Sequence, residues 1–509
     1  MKKFLSMLAI AAMVMSFVAC DDDEATPDGP SIATPAVTNV QVEAAADITF
    51  EATIPGGYKS MNVAATGGTA VKKSEPAAGA TSGNVVVTFT ADATAGAGTV
   101  TVSITDNNDK AESETAAINK TGEVVPDVIV VSGVIDEDVT WTADNIYELA
   151  GRVIVDDGTT LTIEAGTIIK GREGEGINAS ALMVARGGKL NAAGTAEKPI
   201  IMTSELDDIM PGETAGSNLD EEDKGLWGGL VILGKAPISV SGATEAQIEG
   251  VPASETLGLY GGDVANDNSG TISYVSIRHG GTVLSGGSEI NGLTLGGVGS
   301  GTTINNIEVF ANVDDGVEFF GGSVNVSNLL ISYQGDDGVD IDQAYAGTLD
   351  GFMVIHGGDT DEGLEIDGPE GAANATGKFI LKNGTLIGDP TKPSDASSLA
   401  DFKSKAQGTL ENVVFSGYTA GKKIKLASSY DGSCTPTLDA YKNVVDNNLV
   451  FTTVQFTGFT VDVYAASGSC DTAASDTAAA AKITSATATG APAISTWSWT
   501  VSAAKSILK

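Results

Sequence analysis

Basic residues are scarce. The 509-residue chain holds 28 Lys and Arg against 66 Asp and Glu, for a formal net charge of −38. Such a surface repels polyanions, so nucleic acid is not expected as a partner; divalent cations suit it better. Histidine is almost absent, with two residues, and there are three cysteines. Neither Cys434 nor Cys470 has a nearby His or a CxxC spacing, which argues against a thiolate metal centre. Strong helix formers in series are few, whereas Gly reaches 63 residues and Thr, Val and Ile are abundant. These features point to an all-β fold rich in tight turns. The apolar run Phe4 to Val18 is too short to span a bilayer comfortably. Disorder does not explain the acidity, since 42% of residues are hydrophobic and apolar runs recur throughout.

The N-terminus has a positive start at Lys2 and Lys3, the apolar run, then Phe17-Val18-Ala19-Cys20. This resembles the lipobox of bacterial lipoproteins, with Phe17 in place of the usual Leu. The resemblance implies a signal peptide over 1–19, lipidation of Cys20, and the membrane as a partner through the lipid. Asp21-Asp22-Asp23-Glu24 follows. It is similar to the acidic export signal of Bacteroidota surface lipoproteins, which implies an outer-membrane protein facing the cell exterior. Residues 20–34 read as an acidic, flexible tether.

Between 35 and 122, short alternating segments such as VTNVQVEA, DITFEATI, NVVVTFTA and GTVTVSIT are separated by turn signals. Six or so strands in this span predict an immunoglobulin-like β-sandwich, although no Cys-Trp-Cys pattern is present. No aromatic platform marks it as a binder, so it reads as a spacer.

Beyond a linker near Pro126 the pattern becomes repetitive. The second acid of each pair in INNIEVFANVDDGVEFFGG, VSNLLISYQGDDGVDIDQA and LDGFMVIHGGDTDEGLEIDG falls at Asp315, Asp337 and Glu362. One such repeat cannot bury its own apolar face, but parallel stacking can. The expectation is a parallel β-helix over 130–390, with 391–509 as a β continuation and cap. Leu161 to Ile168, Gly187 to Leu190, Gly194-Thr195, Pro199-Ile200 and Trp227 to Leu230 resemble the first coils of right-handed parallel β-helix proteins of the pectate-lyase-like superfamily. That fold hosts lyases, hydrolases, adhesins and binders, so the resemblance implies fold and not activity. Residues 205–224 and 243–270 read as loops, as does 471–490. STWSWTV reads as a short amphipathic strand capping the open end.

Stacked repeats bring together Asp314, Asp315, Asp336, Asp337, Asp340, Asp361, Glu362 and Glu365. Few basic residues lie between 304 and 368. Either the Asp-Gly pairs make turns with carboxylates in water, or the repulsion is offset by calcium, which takes 6–8 oxygen ligands. Asp-Gly turns are common in β-helices, but the doubled acid is more than a turn requires. Asn312-Val313-Asp314, Asp336-Asp337 and His356-Gly357 follow the order of motifs in the polygalacturonase family, which would give Asp314, Asp336, Asp337 and His356 catalytic roles. No Gly precedes His356, and no Arg-Ile-Lys follows at suitable distance; Lys423-Ile424-Lys425 is the nearest imitation. A lyase would need a basic residue beside the acids, and Arg278 and Lys378 are the candidates. An exported compartment would let Cys434 and Cys470 pair. The expected function is a surface lipoprotein that binds extracellular glycan or docks to an outer-membrane transporter, loaded with calcium. The alternative is a β-helix polysaccharide lyase or glycoside hydrolase.

Overall fold

The computed structural model describes residues 27–122, 126–249, 251, 256–285, 288–393, 398–459, 461–466, 470–483 and 487–508. Cys20 and the acidic run after it lie outside the described residues. The chain divides into two compact units, Met1–Val125 and Pro126–Lys509. Among the described residues no helix is long and apolar enough to cross a membrane.

In the first unit two four-stranded sheets enclose one core. Ser31–Ile32, Ala45–Thr53, Ser82–Ala91 and Gly68–Ser74 form one sheet. Thr38–Gln41, Ala111–Thr121, Gly96–Asp106 and Tyr58–Thr66 form the other. Strict alternation drives this: Ile48, Phe50, Val85, Val87, Val100 and Val102 point inward and are buried. The strand Gly68–Ser74 was not anticipated, because it is an edge strand with almost no buried residue. Lys72 and Lys73 on it suit an edge that must not pair further.

The second unit is a parallel β-helix with three sheets running along its length. Thr303–Phe310, Asn325–Ser332 and Thr348–His356 each bend at one residue, so that their halves belong to two sheets. Val317–Phe320, Val339–Asp342 and Leu364–Ile366 form the third. The bends fall at Asn306, Asn328, Gly351, Asn383 and Asn412, all with left-handed backbone. Asn tolerates that conformation better than most residues. Its amide also links coils: Asn328 donates to Asn306 at 3.2 Å and Asn412 to Asn383 at 2.7 Å. Inside, Leu293, Val317, Val339, Leu364, Ala400 and Ile424 make one continuous apolar ladder.

The coils do not stop at 390. Leu364–Ile366 pairs with Ser398–Phe402, then Lys423–Ala427, then Asp462–Ala466. One lengthened coil, spanning Leu364 to Ala400, hides the repeat in the sequence.

Two expectations near the C-terminus are corrected. Ala473–Ala480 within the segment read as a loop is a helix, capped reciprocally by Thr472 and Ser475. STWSWTV is not a strand and does not cap the end. Ile494–Trp497 is a 3-10 turn and Val501–Ala504 a single helical turn. The segment 487–508 instead runs lengthwise over the outside of the coils as a strap. Its Thr489 and Gly490 amides donate to Asn412, Ala491 to Thr385, and Trp499 packs edge-on against Tyr274. Trp497 is buried on Phe310, Leu330, Met353 and Ile355. The cause is periodicity: 494–499 alternates like a strand, but no unpaired strand lies nearby, while an apolar outer stripe does.

Candidate functional site

The acidic residues line the outside of the third sheet. In register, Thr294, Glu318, Asp340, Glu365, Asp401 and Lys425 form one outward row. One turn earlier, Asn291, Asp315, Asp337 and Glu362 precede the glycines 292, 316, 338 and 363. None of those glycines has a left-handed backbone. They are needed for a different reason: a Cβ at Gly316 would meet Ile331 at 2.4 Å, and one at Gly363 would meet Leu386 at 2.2 Å. The Asp-Gly pairs thus mark crowding against the core rather than tight-turn chirality.

The second acid of each pair also has a structural task. Asp315 accepts the Asp337 amide at 2.9 Å, and Asp337 accepts the Glu362 amide at 2.6 Å. Each carboxylate therefore holds the next coil.

Three groups of carboxylates offer ligand atoms within 4.8 Å of one another: Asp314 with Asp315 and Asp336, Asp315 with Glu318 and Asp340, and Asp337 with Glu362 and Glu365. They are not equivalent. Lys425 donates to Glu362 at 2.8 Å, and Lys403 pairs with Glu365. Burial alone would raise Glu362, but the bonds from Lys425 and Ser398 hold it below the ordinary range. Glu362 and Glu365, expected as metal ligands, are thus ion-paired, which engages two of the three carboxylates of the third group. Among the described residues no lysine forms an ion pair with Asp315, Glu318 or Asp340, although the Lys403 charge acts on Asp340 from a distance. Burial drives all three carboxyls well above their usual range, reinforced by their mutual repulsion. Asp314 is pushed up to about 7 by burial and by Asp336. Asp337 is pushed up to about 10, again by burial first and Asp315 second. Asp361 is half-way out of this cluster, pushed up to about 6 by burial and Glu362.

Two buried oxygens beside the second group have no hydrogen-bond partner: Asp340 Oδ1 and Asn291 Oδ1. The Asn291 amide donates to Glu318 at 2.5 Å. Exchanging the oxygen and nitrogen of that amide would turn its oxygen toward Glu318, one of the three carboxylates. Four such oxygens are the donor set of a hard cation.

The other catalytic candidates lie apart. His356 is 1% exposed, packed against Tyr418 and Gly363 inside the coil, and burial holds its pKa down to about 3. It is a neutral core residue and cannot reach an external polymer, which corrects its assignment. Arg278 is fully buried beneath the strap, donating to Ser276. Lys378 donates to Asn448 at 3.1 Å. Neither sits beside the acidic row. Cys434 and Cys470 are joined by a disulfide.

Sequence reading missed Asn291, Lys403 and Lys425. The signal was present: Asn291-Gly292 continues the acid-Gly series one coil upstream, and the lysines continue the rows downstream.

A family model described as a pectate-lyase-like β-helix domain matches residues 133–502. The chain belongs to this family. Among solved structures, the pectate-lyase-like chain is similar to a family 28 exopolygalacturonase of Yersinia enterocolitica at 10% identity, covering 86% of this chain and 99% of that one, with a TM-score of 0.18. No curated protein matches it.

Proposed function

We propose that this pectate-lyase-like β-helix is a surface lipoprotein, anchored through Cys20, that captures extracellular glycan along its acidic face with bound calcium. The observation that carries the reading is the uncompensated group Asp315, Glu318 and Asp340, with its two unpartnered oxygens. Asp315, Glu318, Asp340 and Asn291 would hold the ion. When bound, calcium supplies positive charge and open coordination positions for sugar oxygens. The protein's own part is to keep the ligands on rigid strands and to present a long, flat row matching an extended polymer. The N-terminal sandwich serves as a spacer, and the acidic tether suits display on the outer face.

A second reading is favoured by one observation. Asp314 titrates near neutrality beside Asp336. A carboxyl pair holding one proton is an acid–base arrangement used in glycoside hydrolysis. A glycan binding and degradation screen, run in chelator and in calcium, separates the two. Calcium-dependent retention without new reducing ends supports capture. Depolymerisation lost in Asp314→Asn supports catalysis. Absence of any glycan binding in calcium would sink both. Protease shaving of intact cells checks the location: release of the β-helix is expected, and full protection would place it behind the membrane.

A further inference from the structure

The acidic face is not the only place where the coils are elaborated. On a different flank, three segments outside the repeat converge: the loop 205–224, the turn 388–393 and the strap 494–508. Between them and the coils lie two cavities of about 350 Å³ and 250 Å³, which share Glu221, Tyr333 and Lys392. They adjoin across these three residues, and the cleft formed by the pair has a combined volume in the range of small-molecule sites.

Its two compartments differ in chemistry. The larger is walled by Met353, Ile355, Ile387, Ile494, Ile507 and Leu508. The smaller is polar. Lys392 bonds Glu221 at 2.8 Å and also pairs with Glu222, while its ammonium lies 5.6 Å from the centre of the Tyr333 ring. Lys224 pairs with Asp359 at 3.2 Å, and the Tyr333 hydroxyl donates to Asp389 at 2.9 Å. Tyr333 itself has left-handed backbone, φ 60°, unusual for a bulky side chain. The Lys505 ammonium, on the rim, donates to the Leu219 carbonyl at 2.7 Å.

This pattern selects a ligand class by elimination. A simple anion would meet Glu221, Glu222 and Asp359. A simple cation would meet Lys224, Lys392 and Lys505. A neutral polyol finds donors and acceptors in alternation, which is what hydroxyl groups need. The apolar compartment beside it requires an alkyl or aryl group. We infer that this cleft is a second binding site, for an amphiphile with a sugar-like head and an apolar tail, distinct from the acidic face and independent of metal.

The test is calorimetric titration of the full chain with octyl β-glucoside below its micelle concentration, in chelator and in calcium. One saturable site with equal affinity in both buffers is expected. Ile494→Trp fills the apolar compartment from an exposed position, and Lys392→Ala removes the polar pivot. Each should weaken binding by about tenfold or more with unchanged circular dichroism. Leu508→Trp serves if Ile494→Trp misfolds. Octanoate and octyltrimethylammonium should bind at least about tenfold more weakly than the glucoside. Asp340→Asn should bind the glucoside normally, so failure here and failure of the acidic-face reading are distinguishable. No saturable heat, wild-type affinity in both variants, equal binding of octanoate, or loss of binding in Asp340→Asn would each overturn the proposal.

Discussion

A carboxylate in an acidic row can stabilise or destabilise, depending on what faces it. Asp340 has Glu318 and Glu365 as row neighbours, but only Glu365 has a lysine. Asp340→Asn is therefore expected to raise the melting temperature in chelator, because it removes a buried carboxyl whose ionised form is disfavoured first by burial and then by Glu318. The same change should abolish most of the upward shift that calcium gives wild type. A variant that keeps the full calcium shift would place the ion elsewhere. The pH dependence follows from the raised carboxyls. A group whose folded pKa exceeds its unfolded value stabilises the fold while protonated, and that contribution fades as pH rises toward the folded pKa. Asp361 is pushed up to about 6, and Asp314 and Asp367 to about 7, in each case by burial first. In chelator the melting temperature should fall from about pH 4, where an unfolded Asp ionises, to about pH 7, the folded value of Asp314 and Asp367, and calcium should restore most at the upper end, since it favours the ionised form. A flat profile would contradict the burial of these groups. At this scale the sequence showed which acids cluster, because the repeat offset places Asp315, Asp337 and Glu362 together. It did not show which of them are compensated. Lys403 and Lys425 come from coils whose spacing had lengthened, so their row positions were hidden.

Single elements depend on a few buried polar anchors. Glu308 is completely buried and accepts four hydrogen bonds, from Ser276, from the Val501 and Ser502 amides, and from the Ser502 hydroxyl. Glu308→Ala leaves these donors unsatisfied and removes the charge beside Arg278. A loss of about 3–5 kcal/mol in urea unfolding is expected, with faster proteolysis after residue 490. Cleavage no faster than wild type would show that the strap does not hang on this residue. The disulfide closes a loop of 36 residues. Its removal in Cys434→Ser should lower stability by about 3–4 kcal/mol, read from denaturant midpoints. The strands were legible wherever one face alternates, as in Ala45–Thr53. The strap was not, because Trp497 and Trp499 alternate as they would in a strand, and only the outer stripe of Phe310, Leu330, Met353 and Ile355 decides otherwise. The helix Ala473–Ala480 was equally hidden, since an Ala/Thr/Ser-rich stretch has no apolar face to reveal its period.

For the whole molecule, the sandwich core around Phe50 and Phe89 and the solenoid core from Trp141 to Ile483 share no residue. Two calorimetric transitions are expected, with calcium moving only the one that belongs to the solenoid. A single transition shifted as a whole would mean that the two units melt together. The division was readable in the sequence because short alternating segments give way near Pro126 to a recurring coil pattern, and the hydrophobic spacing changes with it.

The strap has one more consequence, in time rather than in energy. The Val501 amide meets Glu308 across 193 residues of chain. Neighbouring coils need only their nearest sequence partner, so they can zip up one after another, but this contact waits for the last part of the chain to be made. Until residues 487–508 dock, the folding solenoid carries a bare apolar stripe along several coils. That interval is when it is most exposed to aggregation, and when a chaperone would have most to hold.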